Sequence, residues 1–188
     1  MTQHAQRETL HEAEVRFSQI RHVVYRQVEK DVYDTVQIAI RLTKITDAAA
    51  TEADGWRYPR DRIPGWSWLK EVRKFQRRPK RVEAAIWLDG QGAILCGLVL
   101  GRVSRNRVYA SIHYLAANPE RDTPLTGRIA QVAIRYLELQ AAALGCTTLS
   151  IAKPVDGLVD FYGELGFTHK VKKGQKLLRL ERQLDHAG

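Results

Sequence analysis

The segment from Leu115 to Gln131, LAANPERDTPLTGRIAQ, holds the residues best suited to grip a ligand. A helix N-terminus leaves about four backbone N–H groups unpaired and carries the positive end of the helix dipole, so small residues there let a phosphate approach the backbone. Thr126, Gly127 and Ala130 supply that access, and Arg128 supplies a counter-charge. A capped helix with no ligand uses the same residues, so the turn alone does not fix a function. A second concentration lies upstream, where Trp56, Trp66 and Trp68 stand with Tyr58 among Arg57, Arg60 and Arg62. Aromatics interleaved with guanidiniums can stack bases, wall an acceptor pocket, or anchor a long loop to the body of the fold. Other chemistries have no support: there is no Cys/His cluster for a metal, no nucleophile elbow, and no carboxylate pair at a hydrolase spacing.

The elements that must position these residues fall into two halves. Leu10, Ala13, Phe17, Ile20 and Val24 recur at spacings of three and four, which predicts a helix over about 8–24. Val32, Val36, Ala39 and Ile40 predict a second over about 31–45, with Asp31 as its N-cap. TDAAATEADG and WRYPRDRIPGW read as a long loop, and a third helix spans Ser67 to Gln76 with Trp68, Val72 and Phe75 inward. Beyond Arg81 the pattern changes to strands at Val82–Leu88, Ala93–Val103 and Val108–Ala116, an antiparallel meander over 82–117. A long helix beyond Pro124 carries Ile129, Val132, Ala133, Tyr136, Leu137 and Leu144 on one face and stops at Gly145. A strand at Thr147–Ala152 completes a crossover, followed by a short helix over Gly157–Leu165 and a hairpin over Phe167–Leu184 around Lys173-Gly174.

Composition bounds the rest. A chain of 188 residues with 44% hydrophobic and 27% charged residues fits one globular domain with a single core. The longest apolar stretch, Ala93 to Leu100, is less than half of the roughly 20 residues that cross a bilayer. The N-terminus is too polar and acidic for a signal peptide, and Cys96 and Cys146 read as reduced buried thiols, so a cytoplasmic protein is expected. Two thirds of the net charge of +9 sits in residues 51–81, which suits either a polyanionic partner or a solvated basic face.

Taken in order, the meander, the strand ending Leu-Ala-Ala-Asn-Pro-Glu, the small-residue turn into a long helix ending Leu-Gly, the short strand and the run Phe161-Tyr162-Gly163-Glu164-Leu165-Gly166-Phe167 resemble the GNAT family of N-acetyltransferases. The FYxxLGF run is the most specific element. The resemblance covers residues 82 to 184 well and the first 80 poorly. It implies an α/β fold with a central mixed sheet in one acyltransferase-like domain over 1–188. Residues 1–81 form its helical, acceptor-side part and 82–188 its coenzyme-binding part. It implies acetyl-coenzyme A as co-substrate and an amine acceptor that is a small molecule, a protein, or an RNA or aminoacyl-RNA. Oligomers are compatible with it, and a membrane is not expected. The alternative is a binding module of the same fold that uses its basic 57–81 region on nucleic acid.

Carried over residue by residue, the resemblance places the pantetheine arm against Leu115, Ala116 and Ala117, where the strand parts from its parallel neighbour. It places the pyrophosphate on Thr126, Gly127, Arg128, Ile129, Ala130 and Gln131, and Tyr162 at the coenzyme sulfur. Within the family's Arg/Gln-x-x-Gly-x-Gly/Ala pattern only Ala130 matches, because Leu125 and Arg128 replace its first residue and central glycine. The asparagine common after the next strand is missing from Lys153-Pro154-Val155-Asp156-Gly157. Acetyl transfer needs an amine that has lost its proton, an oxyanion held by a backbone N–H near Leu115–Ala117, and a proton for the departing sulfur, which Tyr162 can give. For the base, His113, with an ordinary pKa of about 6.5, competes with Glu83, Asp156 and a water chain. His113 is equally an ordinary strand histidine, and Tyr162 equally a packing aromatic.

Overall fold

Thr9 opens the first helix with a reciprocal cap: its hydroxyl accepts from the Glu12 amide while the Glu12 carboxylate accepts from the Thr9 amide at 2.8 Å. Helix α1 then runs unbroken over Leu10–Val36, burying Phe17, Val24, Tyr25 and Val28 on one stripe. The structure is a computed structural model that describes residues 8–59, 64–90 and 92–184. Arg60 and Arg62 lie outside the described residues.

Two expectations about the first half are corrected. Asp31 does not cap a second helix; it sits in the body of α1, accepting from the Gln27 side chain at 2.7 Å and pairing with Arg135 at 2.7 Å. The chain leaves the helix through Gln37 in a left-handed conformation and forms strand β1 at Ile40–Thr43, with Ile40 and Leu42 buried. The stretch read as loop forms helix α2 at Asp47–Asp54, whose Ala49, Ala50 and Ala53 are buried in the core cluster that α2 shares with α3. Helix α3, Trp68–Gln76, buries the three residues expected and is capped by Ser67.

The second half follows the sequence reading. Strands β2 (Arg81–Leu88), β3 (Ile94–Val103) and β4 (Tyr109–Ala117) form the meander, helix α4 (Ile129–Ala143) crosses to β5 (Thr148–Ala152), and helix α5 (Val159–Glu164) leads to the hairpin β6 (His169–Lys173) and β7 (Lys176–Gln183). The sheet order is β1-β2-β3-β4-β5-β7-β6, antiparallel throughout except for the β4–β5 pair. Val82, Ala84, Ile86, Cys96 and Val99 face α1 and α4. Ala85, Leu95, Leu98 and Leu100 face α2 and α3.

Polar groups fix α1 to the sheet. Arg21 and Arg81 share the carboxylates of Glu14 and Glu83, with Arg81 to Glu83 and Arg81 to Glu14 both at 2.7 Å. Each buried guanidinium is thereby paired, without which burial would be costly. The Tyr25 hydroxyl donates to the Glu83 carbonyl at 2.5 Å, and the Glu83 amide donates to the Tyr136 hydroxyl at 3.2 Å. The Glu83 carboxylate is therefore committed to two arginines, and it drops out as a candidate base.

Strand β4 carries a bulge that matters for function. Tyr114 pairs with Leu100 and Ile112 with Gly101, so His113 is the extra residue. A Cβ on Gly101 would overlap the Ser111 carbonyl oxygen and sit 3.1 Å from the Ile112 Cα. Gly101→Ala is expected to cost about 1–3 kcal/mol, read as a lower urea midpoint with an unchanged slope. An unshifted midpoint would show that the bulge tolerates a side chain.

Candidate active site

Strands β4 and β5 pair only from Tyr109–Thr148 to Ile112–Ile151. Past that point each strand stays with its other neighbour. Strand β4 continues along β3 through Ala116–Leu98 and Ala117–Gly97, and the Asn118 amide still donates to the Cys96 carbonyl at 2.8 Å. The other strand follows β7 through Ala152–Arg179, and the Lys153 amide donates to the Leu178 carbonyl at 2.9 Å. The facing edges of His113–Ala117 and of the chain after Ile151 are left without ladder partners. Buried or half-buried peptide groups in such a gap call for a polar partner of extended shape.

The end of α4 lies where the chain returns from β4. Gly97, opposite Ala117, has the Ile129 side chain so close that a Cβ would sit 2.5 Å from its Cγ2, so this glycine lets the first turn of α4 rest on the sheet beside the gap. The Thr126 amide donates to the Thr123 carbonyl and the Arg128 amide to the Leu125 carbonyl, both at 2.9 Å. The first hydrogen bond back from the helix is Val132 to Arg128. Among the described residues, the amides of Gly127, Ile129, Ala130 and Gln131 have no backbone partner, and no side chain caps the helix. Of the six residues expected around a phosphate, four thus offer free amides, while those of Thr126 and Arg128 are occupied. Gly127 has φ +75° with open space where a Cβ would stand, and Arg128 is exposed. With its nitrogen donating, the Gln131 carboxamide reaches the carbonyls of Arg128 and Gly127 at 3.0 and 3.1 Å. No acidic residue lies in this first turn, so the field at the helix end favours an anion.

The bulge turns His113 and Tyr114 both toward α3, with the Phe75 ring 6.0 Å from one and 6.1 Å from the other. The Tyr114 hydroxyl donates to the Glu71 carboxylate at 2.9 Å, and burial together with that carboxylate pushes the phenol up to about 12. Glu71 also pairs with Lys74 at 3.2 Å. Glu71 and Tyr114 were not singled out in the sequence, where a Glu on a basic helix and a Tyr in a strand carry no distinguishing signal.

Burial, then the charges of Arg102, Arg78 and Lys153, push His113 down to about 4. Its ring is neutral at pH 7, and the near-neutral titration expected of it does not occur. Because an unfolded histidine titrates near 6.5, the unfolded chain binds the extra proton first. The contribution of His113 to stability is complete above about pH 6.5 and falls away as the pH drops toward 4. His113→Gln is expected to flatten the decline of the urea midpoint across that interval; an identical decline would contradict the shift.

Tyr162 lies in α5, 5% exposed, with its ring against Phe161 and Phe167. Burial raises its pKa. The rest of the FYxxLGF run is structural. Gly166, at φ +88°, packs under Arg182, whose guanidinium donates to the Leu165 carbonyl at 2.9 Å, pairs with Glu138 and covers the Phe167 ring. Asp156 begins a 3-10 turn between β5 and α5 and is exposed.

The tryptophans of the 56–68 segment gather on the α3 side. Trp66 stands edge-on to Trp68 at 4.8 Å and to Tyr114 at 4.7 Å, which joins them to the freed stretch of β4. Beside them a pocket of about 300 Å³ is lined by Asp54, Trp56, Arg57, Tyr58, Trp66 and Trp68. Among the described residues no group of three or more His, Cys, Asp or Glu could hold a metal, and no helix is long and apolar enough to cross a membrane.

No protein-family model matches the sequence, and no curated protein matches it. Solved structures do share its architecture. Ard1 from Thermoplasma volcanium superposes with a TM-score of 0.58 at 10% identity, over 79% of this chain and 100% of that one. The ribosomal-protein-S18-alanine N-acetyltransferase from Escherichia coli gives 0.53 at 14% identity, over 79% and 96%. The PaiA N-acetyltransferase from Thermoplasma acidophilum, in complex with coenzyme A, gives 0.56 at 14% identity, over 78% and 99%. The mixed seven-stranded sheet with its parted parallel pair is the fold of the GNAT N-acetyltransferases, as the order of motifs in the sequence implies.

Proposed function

We propose that this protein is an N-acetyltransferase that passes an acetyl group from acetyl-coenzyme A directly to a primary amine. The observation that carries the reading is the parting of β4 and β5 after Ile112 and Ile151 beside an uncapped helix end. A pantetheine arm has the extended amide character that the bare edge of His113–Ala117 can bond, with Ala116 and Ala117 small enough to admit it. The amides of Gly127, Ile129, Ala130 and Gln131 suit a pyrophosphate. When bound, the coenzyme supplies an activated acyl thioester. A titratable serine or cysteine nucleophile is not required.

The protein's own groups then have limited tasks. An amide of Leu115–Ala117 holds the oxygen on which charge develops. Tyr162, kept protonated by burial, donates its hydroxyl proton to the departing sulfur. On the α3 side, the Glu71 carboxylate attracts the substrate ammonium, and a proton leaves that amine through water held by Glu71, Tyr114 and the neutral His113 ring. With His113 pushed down to about 4, its ring is a weak base for an amine, so water carries the proton away.

The test is to incubate the protein with acetyl-coenzyme A and a panel of amines, peptides with free N-termini and aminoacyl-RNA, following thiol release together with the acceptor's mass. Amine-dependent thiol release with a mass gain of one acetyl group is expected. Thiol release that never depends on an acceptor would contradict direct transfer.

A nucleic-acid-binding role has one supporting observation: Lys70, Arg77 and Arg78 are exposed at α3 and its C-terminal end. Arg73, Lys74 and Arg81 in the same segment are paired with Asp47, Glu71 and the Glu14–Glu83 carboxylates, which weakens the patch. That role requires RNA affinity falling steeply with salt.

A further inference from the structure

Arg78, Arg102 and Lys153 stand around the freed half of β4 with no ion pair among the described residues. Arg102 follows Leu100 by two positions along β3. Leu100 packs in the cluster beneath α2 and α3, so the alternation of a strand puts Arg102 on that same side, opposite Ser111 in register. Arg78, just past the end of α3, lies 5.3 Å over the Phe75 ring, which is itself 6.0 Å from the His113 ring. Lys153 is the first residue beyond β5 and holds φ +46°, a left-handed conformation uncommon for a residue with a side chain. The charges of all three reach the His113 ring and oppose its protonation. The acid that acts on the same ring, Glu71, is already held by Lys74 at 3.2 Å and the Tyr114 hydroxyl at 2.9 Å. Arg179 on β7 is neutralised by Glu181 at 2.6 Å. The end of α4 proposed for the pyrophosphate rests on the opposite face of the sheet, where Ile129 and Val132 join the other core cluster, so the coenzyme's phosphates do not neutralise these cations.

We propose that Arg78, Arg102 and Lys153 hold an anionic group, a phosphate or a carboxylate, at the non-reacting end of the amine acceptor. The substrate class is then a small amine that carries a negative charge. The assignment of that group to the acceptor rests on the acetyltransferase reading; the preference for an anion does not. With the ammonium on Glu71, the anion lies toward Arg78, roughly 10 Å further along the direction of α3 at 1.5 Å per residue. Guanidinium and ammonium groups both donate to phosphate and carboxylate oxygens. All three side chains are exposed, so each contact is individually weak, roughly two- to fivefold in affinity. Three acting on one anion give about 10-fold or more, and the same charges repel a second ammonium, which disfavours polyamines.

The experiment compares four amines on one skeleton by calorimetry, with and without coenzyme A, and as acceptors: hexylamine, 6-aminohexanoate, 6-aminohexyl phosphate and 1,6-diaminohexane. The carboxylate and the phosphate are expected to bind about 10-fold or more tightly than hexylamine, and the diamine most weakly. Tighter binding of the phosphate identifies a phosphorylated amine, and tighter binding of the carboxylate an amino acid. Arg102→Gln and Lys153→Gln keep a polar side chain and remove the charge, so each is expected to shrink the preference for the anions by roughly two- to fivefold. Equal affinity for all four, the diamine binding most tightly, no binding by any of them at about 10 mM, or a preference that survives both substitutions together would overturn the proposal. An RNA oligonucleotide that binds more tightly than the aminohexyl phosphate and excludes it would give the surface to nucleic acid and overturn it as well. If a variant fails to fold, the four amines on the unaltered protein still decide. Anion-selective binding without acetylation would overturn only the acetyltransferase reading, and acetylation without that selectivity only this one.

Discussion

Ala130→Glu is expected to lower coenzyme A affinity by about 100-fold while leaving the fold intact. A carboxylate in the first turn of α4 favours the helix dipole, so stability holds or rises slightly. The same charge stands among the amides of Gly127, Ile129 and Gln131, where the pyrophosphate is proposed to rest. Two like charges about 5 Å apart repel by about 3 kcal/mol at an effective dielectric of about 20, and each 1.4 kcal/mol is about tenfold. Calorimetric titration together with a thermal melt separates the two effects. Undiminished affinity in the folded variant would remove the helix end from the binding site.

Tyr162→Phe is expected to lower turnover by about 100-fold or more, within the range of lost proton donors, with less than about 3-fold change in the dissociation constant of coenzyme A. The substitution keeps the ring that packs on Phe161 and Phe167 and removes only the hydroxyl. A purely packing role predicts unchanged turnover, and steady-state kinetics with a calorimetric control distinguish the two.

What was legible in the sequence follows from how many residues each signal spans. The meander, the crossover helix and the final hairpin each carry eight or more residues of consistent periodicity or an unambiguous turn, and their boundaries fall within a few residues of those expected. Strand β1 has only four residues, too short for alternation to stand out against the helical spacing of Val32 and Val36 on its N-terminal side. Helix α1 continues through the polar Glu29 and Asp31 because tertiary partners hold them: Glu29 accepts from the Leu42 amide at 2.8 Å and Asp31 pairs with Arg135.

The site divides in the same way. Backbone features were readable from small residues, since Ala116, Ala117, Gly127 and Ala130 announce close approach. The side-chain chemistry was not. His113 looks like a neutral-pH base until the bulge and the surrounding cations are known, and Glu83 looks available until Arg21 and Arg81 are seen to hold it. Glu71 gains its place only because Tyr114 lies across from it, 43 residues later in the chain.

Amide hydrogen exchange measured with and without coenzyme A tests the account most directly. Slowed exchange is expected at those amides of His113–Ala117 that face away from β3 and at Gly127, Ile129, Ala130 and Gln131, whose amides have no backbone partner among the described residues, with the stretch of β3 paired on both sides unchanged. Coenzyme that leaves both stretches as exposed as before would contradict the claim that the parted strands and the end of α4 form its binding site.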